Sequence, residues 1–157
     1  MILVTLGTQK FEMNRLVKAA DRLAELLGEE VFVQCGHSTY QPEKCNYSAF
    51  VDTAQFAEMI QNCSVLITHS GVGTIMTGIQ AKRPIIVVPR LKKYHEHVDD
   101  HQLQIAEAFE GKGCVLCCRN EEELPQYIEK AKTFQFQPYI APESKVENLI
   151  LEFIEKC

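Results

Sequence analysis

Residues 1–6, 30–35, 65–68, 85–88 and 114–118 are short, mainly apolar runs, whereas the stretches between them place apolar side chains every three or four positions. The first pattern is that of a strand buried on both faces, the second that of a helix with one face on a core. Leu16, Ala19, Ala20, Leu23, Leu26 and Leu27 mark a first helix that Gly28 stops. A short strand is expected at 48–51 and a helix at 53–62. After Gly71 a helix runs to about Lys82, and Pro84 leads into Ile85, Ile86, Val87 and Val88, the most β-branched run in the chain. Another helix is expected at 100–110, closed by Gly111 and Gly113, and one more after Asn120, which with Glu123 resembles a capping box. An irregular link at 133–141 precedes a last amphipathic helix, about 142–156, with the stripe Val146, Leu149, Ile150, Phe153 and Ile154. Strand and helix alternate almost throughout. This predicts a single α/β domain over 1–157, built on a doubly wound, mainly parallel, Rossmann-like sheet. Ligands bind beyond the carboxyl ends of such strands, so the loops after residues 6, 35, 51, 68, 88 and 118 share one rim.

Composition narrows the function classes. At 157 residues, 46% hydrophobic and 24% charged, the chain fits one soluble globular domain large enough to bury a core. A net charge of -5 argues against general nucleic-acid binding. The local basic cluster Lys82, Arg83, Arg90, Lys92 and Lys93 suits an anionic lipid, a phosphate-bearing acceptor or a plain solvated loop. No apolar stretch approaches the length of a membrane span. The seven cysteines are odd in number and lack a disulfide-framework spacing, and no secretory leader is evident, so a cytoplasmic protein with reduced thiols is expected. Cys114 and Cys117 have redox spacing but lie inside a β run, which favours core packing.

Two places can carry chemistry. Gly7, Thr8 and Gln9 follow the first strand, and His69, Ser70, Gly71, Val72, Gly73 and Thr74 follow the strand at 65–68. Glycines admit a ligand close to the backbone, a helix N-terminus offers free N–H groups to an anion, and Ser70 and Thr74 add hydroxyls. The standard nucleotide motifs do not fit. A dinucleotide fingerprint needs Gly or Ala where Met76 stands, and a triphosphate loop needs Lys then Ser or Thr where Gly78 is followed by Ile79 and Gln80. The loops either hold another kind of phosphate or are tight strand-to-helix turns. The second place is 94–102, with His95, His97, His101, Glu96, Asp99 and Asp100. His97 and His101 have the i, i+4 spacing of a metal pair, but Asp99 or Asp100 looks like the N-cap of a helix that starts after His97. Asp100, His101 and Gln102 have donors and acceptors suited to sugar hydroxyls. A well-capped, solvated helix start is the remaining reading.

The segments VTLGTQKFEMNRLV, FVDTAQFAEMIQNCSVLITHSGVGTI, RPIIVVPR and DDHQLQIAEAF, in this order and spacing, resemble the C-terminal half of family 28 glycosyltransferases of the GT-B fold. The likeness covers nearly the whole chain. Similar half-enzymes occur as separate polypeptides. One group is the catalytic subunit that adds the second N-acetylglucosamine to dolichol-linked sugar. The closer group is bacterial exopolysaccharide and capsule proteins, β-1,4-galactosyl or glucuronosyl transferases acting on lipid-linked glucose with an enhancer-like partner. The resemblance implies a UDP-sugar donor, no metal or other cofactor, a lipid-linked sugar acceptor, and a membrane-anchored partner similar to the missing N-terminal half. It places the chain at the inner face of a membrane through that partner, with no nucleic acid involved.

It also implies residue roles. Uracil would lie near Phe50 and Val51. The diphosphate would sit on Ser70, Gly71, Val72, Gly73 and Thr74, with Gly7 and Thr8 opposite. The donor sugar would meet Asp100, His101 and Gln102, and His69 matches a histidine that often precedes the glycine loop. Many members carry a ribose-binding glutamate where this chain has Thr77, so ribose recognition is weaker here or uses another group such as Gln80. An inverting transfer needs a general base, which in two-domain relatives comes from the N-terminal half. If the chain acts alone, His95, His97 and Glu12 are the candidates. Two rival readings are a different sugar-nucleotide enzyme, such as an epimerase, and a non-catalytic nucleotide-sugar-binding accessory subunit.

Overall fold

The computed structural model describes residues 1–141 together with Leu151 and Ile154. Strands β1 (Ile2–Thr5), β2 (Val31–Gln34), β3 (Asn46–Ser48), β4 (Val65–Thr68), β5 (Ile85–Val87) and β6 (Leu116–Cys117) form a six-stranded sheet in the order β3-β2-β1-β4-β5-β6. Every pairing is parallel. The order grows outward from β1 on one side and from β4 on the other. The switch point of this doubly wound, Rossmann-like sheet therefore lies between β1 and β4. Helices α1 (Asn14–Leu27), α2 (Thr53–Asn62), α3 (Val72–Gln80) and α4 (His101–Gly111) join the strands, and α5 (Leu124–Thr133) follows β6.

Successive strand side chains point to opposite faces, so each buried strand feeds two cores. Ile2, Val4, Val31, Val33, Ile67 and Ile86 pack in one cluster with Leu16, Val17, Ala20 and Leu23 of α1 and Leu124 and Ile128 of α5. Leu3, Leu66, Ile85 and Val87 form the other with Ile60 of α2, Ile75 of α3, and Ile105 and Phe109 of α4. Burying each aliphatic side chain of this size contributes about 1.5–3 kcal/mol. Cys114 and Cys117 lie in the second cluster, and burial raises both thiols, Cys117 to about 11. That disfavours the reactive thiolate and accords with a packing role.

Several boundaries differ from the sequence reading. The strand expected at 48–51 lies at Asn46–Ser48, because pairing with β2 runs from Phe32↔Asn46 to Gln34↔Ser48. It is a polar edge strand with Asn46 and Tyr47 exposed, so no apolar run marks it. Helix α3 stops at Gln80, with Lys82 in a left-handed turn at φ 55. Asn120 accepts an N–H from Glu122 and caps a 3-10 turn, Glu121–Glu123, which leads into α5. Most of the helix expected at 142–156 falls outside the described residues. Leu151 and Ile154 are helical, and Ile154 packs against the second core. Among the described residues, no helix is long and apolar enough to cross a membrane.

One loop is held by a single carboxylate. Asp21 of α1 is 6% exposed. Its oxygens accept N–H bonds from Glu43, Lys44 and Cys45 at 2.6–3.2 Å and the Tyr40 hydroxyl at 3.0 Å. Desolvation raises its pKa, but these hydrogen bonds together outweigh that and hold the carboxyl below its ordinary value. The segment between β2 and β3 is thereby fastened to α1.

Candidate functional site

The switch point brings the two glycine loops together. Gly7 leaves β1 at φ +72, a conformation that favours glycine, and Gly71 precedes α3. Between them stands the His69 imidazole. A Cβ on Gly71 would lie 2.6 Å from its Cε1, and a Cβ on Gly7 would overlap its Nε2. Both positions must lack a side chain for the ring to fit. Burial and the nearby Arg90 push His69 down to about 4, so the ring is neutral near pH 7.

The Gln102 amide anchors the ring at Nδ1. Gln102 Oε1 accepts from the backbone N–H groups of Ser70 (3.3 Å) and Arg90 (3.1 Å). The amide oxygen is thus assigned, and its NH2 group lies 3.2 Å from His69 Nδ1. Oε1 stands 3.3 Å from the same Nδ1, so the amide presents both a donor and an acceptor to that nitrogen, and Nε2 is the ring atom beside the glycine loops.

Other side chains frame the loops. Gln34 closes β2 and accepts at Oε1 from Gly7 N–H (3.0 Å) and the Thr5 hydroxyl (2.7 Å). Its NH2 group donates to Gly7 O (3.0 Å) and Ala49 O (2.8 Å). Arg90, 1% exposed, donates to Leu6 O (2.6 Å) and Phe11 O (2.9 Å), which ties the β1–α1 loop to the β5–α4 loop. Desolvation lowers its guanidinium to about 10. Arg15 of α1 grips Glu96 through Nε (2.7 Å) and Nη2 (2.9 Å) and reaches Glu121 at 2.9 Å. Neither Gln34 nor Arg15 is singled out by a local motif, and Arg90 and Glu96 stand out in the sequence only as members of charged clusters. The one cue at Gln34 is a polar residue ending an otherwise apolar strand.

Two clefts open on this frame. One, about 420 Å³, is lined by Gly7, Thr8, Phe50, Val51, Phe56 and Thr74 among others. The second, about 440 Å³, is lined by Ser70, Val72, Met76, His97, His101, Gln102, Ile105 and Ile154. Gln9, Gly71 and Gly73 line both. The shared wall is the start of α3, whose N-cap Gly71 supplies no side-chain cap, in contrast to Asp52 at the start of α2. The first-turn amides of α3 are left for a ligand, and the helix dipole favours an anion there. Ser70 Oγ and Gln9 Oε1 are buried without a hydrogen-bond partner among the described residues. Such groups are costly unless a ligand or water satisfies them.

The candidates from sequence sort onto this geometry. Phe50, Val51, Gly7, Thr8 and Thr74 reach the first cleft, and Ser70, Val72, His101 and Gln102 the second. His69 lies beneath the first. Asp100 lines neither cleft, because its carboxylate accepts the Lys92 N–H at 2.9 Å. The Thr77 hydroxyl donates to Gly73 O at 2.9 Å, back along its own helix. Gln80 lines a separate groove with Pro84 and Cys114, which precede β5 and β6. At 1.5 Å per residue it stands about 9 Å along α3 from Thr74. The structure thus places Thr77 and Gln80 away from the clefts. His95 is exposed in a left-handed turn, and Glu12 is exposed and accepts from Asn14. Of the base candidates, His97 alone lines a cleft. It lies outside α4 and bonds Asp99, so it does not form a helical pair with His101. Among the described residues, no three His, Cys, Asp or Glu side chains group to hold a metal ion.

A family model described as the glycosyltransferase family 28 C-terminal domain matches residues 1–152. The chain belongs to that family. It is 32% identical over 128 residues to a UDP-N-acetylglucosamine–N-acetylmuramyl-(pentapeptide) pyrophosphoryl-undecaprenol N-acetylglucosamine transferase of Prochlorococcus marinus (strain MIT 9312). That match takes in 75% of this chain and 32% of the relative, so the chain spans about a third of the relative's length. It is 28% identical over 126 residues to the UDP-N-acetylglucosamine transferase subunit ALG13 of Homo sapiens, covering 74% of this chain and 11% of that protein. Solved structures share the fold. The calicheamicin glycosyltransferase CalG4 superposes with a TM-score of 0.63 at 14% identity, over 99% of this chain and 38% of that one. The solution structure of ALG13 gives 0.57 at 18% identity, over 98% and 94%. The fold is that of one half of a GT-B glycosyltransferase.

Proposed function

We propose that this family 28 domain is the donor-binding, catalytic subunit of an inverting UDP-sugar transferase. The observation that carries this reading is the meeting of two clefts at the uncapped N-terminus of α3. A nucleoside diphosphate sugar has that outline, with a base at one end, an anionic bridge and a polyhydroxylated ring at the other. Uracil takes the cleft at Phe50 and Val51. The diphosphate lies on Gly71, Gly73 and Thr74, with the His69 ring edge at Nε2 and the Ser70 hydroxyl beside it. The sugar enters the cleft at His101 and Gln102. As the glycosidic bond breaks, charge builds on the leaving UDP, and fixed amides, a helix dipole and neutral donors stabilise it without reorganisation.

The acceptor is a lipid-linked sugar, presented by a membrane-anchored partner at the inner face of the membrane. Exopolysaccharide or capsule synthesis is the proposed setting, with galactose or glucuronate as the transferred hexose. The names of the bacterial and human relatives make N-acetylglucosamine a third donor to try. The test is a radiolabelled panel of UDP-galactose, UDP-glucuronate and UDP-N-acetylglucosamine, run with membranes containing the partner and lipid-linked glucose. Label in the lipid fraction from one donor is the expected result. UDP binding without label transfer from any donor in the reconstituted pair would favour the accessory role.

A further inference from the structure

Resting on the proposed function, we infer that Arg15 and Glu96 are positioning residues that determine donor specificity. They form an ion pair that sets the wall of the second cleft, where the sugar enters, and leaves the first cleft alone. Neither belongs to the described lining of either cleft. They act through the β5–α4 loop. His97 follows Glu96 directly on that loop and lines the second cleft with His101 and Gln102.

Glu96 closes the loop on itself. Its Oε2 accepts the Leu91 N–H at 3.1 Å, and its own N–H donates to Leu91 O at 3.3 Å. Between these ends lie the 3-10 turn Lys92–Tyr94 and His95, which sits in the left-handed region at φ 58. A residue other than glycine is held there only when the surrounding structure over-determines it, as at ligand clamps. The outside anchor is Arg15 on α1. It donates through Nε to Glu96 Oε1 (2.7 Å), and through Nη2 to Oε2 (2.9 Å) and to Pro89 O (2.8 Å) at the start of the loop. Its guanidinium also lies 4.8 Å from the centre of the Tyr94 ring. A planar fork that grips both carboxylate oxygens fixes direction as well as distance.

The Arg15 and Glu96 side chains are 13% and 4% exposed. Desolvation lowers the Arg15 pKa, but bonds and charge from Glu96 and Glu121 together outweigh that and hold it above its ordinary value. Arg90 donates to Glu96 O at 3.4 Å. Desolvation pushes Arg90 down to about 10, the Glu96 charge opposes this, and Arg15 adds to it. Two buried cations therefore share the Glu96 charge. A well-packed apolar pair often stabilises a fold as well or better, so stability alone does not account for this arrangement.

The two clefts differ in what they take from this loop. The second takes His97, His101 and Gln102, whereas the described lining of the first contains nothing between residues 89 and 102. Hexoses that differ in one substituent are told apart by walls held in one place by the residues behind them. Loosening the clamp should reshape the space for the hexose while uridine keeps its own.

The experiment uses the full chain reconstituted with partner-containing membranes and compares wild type, Glu96→Gln and Arg15→Lys. For each, kcat/KM is measured with UDP-galactose, UDP-glucuronate and UDP-N-acetylglucosamine, beside the inhibition constant for UDP. Melting curves establish that each variant is folded at the assay temperature. In Glu96→Gln, the ratio of kcat/KM between the preferred donor and the next best should fall by about tenfold or more. KM for the preferred donor should rise, and inhibition by UDP should stay within about twofold of wild type. Arg15→Lys keeps the charge but loses the fork, so it should show a smaller fall of the same kind, and it carries the comparison if Glu96→Gln does not fold. A merely structural role would lower all three donors alike, and an unchanged ratio overturns the inference. So does an equal loss of UDP and UDP-sugar affinity, or a wild type that does not discriminate among the donors. Wild-type chain that fails to bind UDP at all sinks the function reading instead, and this inference with it.

Discussion

Gly73 lines both clefts, yet nothing lies within 4 Å of where its Cβ would stand. A side chain there meets only the space a ligand would use. Gly71 is the opposite case, since a Cβ would press on His69. Gly73→Val should therefore weaken UDP binding by about tenfold or more, a cost of about 1.4 kcal/mol, while thermal unfolding shifts little. Titration calorimetry beside a melting curve separates the two effects. Unchanged affinity would remove the diphosphate from α3. The glycines, His69 and Ser70 were legible in sequence because their signal is local, a strand running into a glycine turn. Gln34 and Arg90 were not, because their roles come from hydrogen bonds to distant residues. The bond from Arg90 to Leu6 O spans 84 positions.

Among the elements, the buried strands were easiest to read, since each places apolar side chains in two cores and so has no polar face. The strand β3 was displaced in the reading because only β2 pairs with it and its outward residues are polar. The start of α4 was half legible. Asp99 and Asp100 both stood out as caps, but only tertiary contacts decide their tasks. Asp99 takes the His101 N–H, and Asp100 turns back to the Lys92 N–H. At the same scale, Asp21 fastens the β2–β3 segment to α1. Asp21→Asn keeps the shape but exchanges acceptors for a donor facing backbone N–H groups. A loss of about 1–3 kcal/mol in urea unfolding at pH 7 is expected. In the wild type the folded carboxyl lies below its ordinary 3.8, so the stabilisation is complete above that value. It should be lost as pH falls through the lower folded value, and the variant should lack that part of the acid response.

At the scale of the molecule, the frame rests on one chain. Gln34, Arg90, Arg15 and Gln102 hold the loops of β1, β4 and β5 by bonds internal to the chain. UDP should then bind the isolated chain and stabilise it. At a concentration of about 100 times Kd the gain is about 2.7 kcal/mol, or roughly 5–10 °C in Tm for a domain of this size. Differential scanning fluorimetry with UDP, and with UMP as the comparison, reads this directly. Absence of a shift would mean that the proposed donor site is completed only by the proposed partner.

The shared wall of the two clefts has one more consequence. One side is lined by Phe50, Val51 and Phe56 at the β3–α2 end. The other is lined by His97, His101 and Ile105 at the β5–α4 end. Among the described residues, Gln9, Gly71 and Gly73 belong to both. Under the proposed function, the preference for a nucleoside and the preference for a sugar are separable traits, inherited on different loops. A lineage can change the hexose it uses by drifting along α4 while its grip on uridine stays as it was.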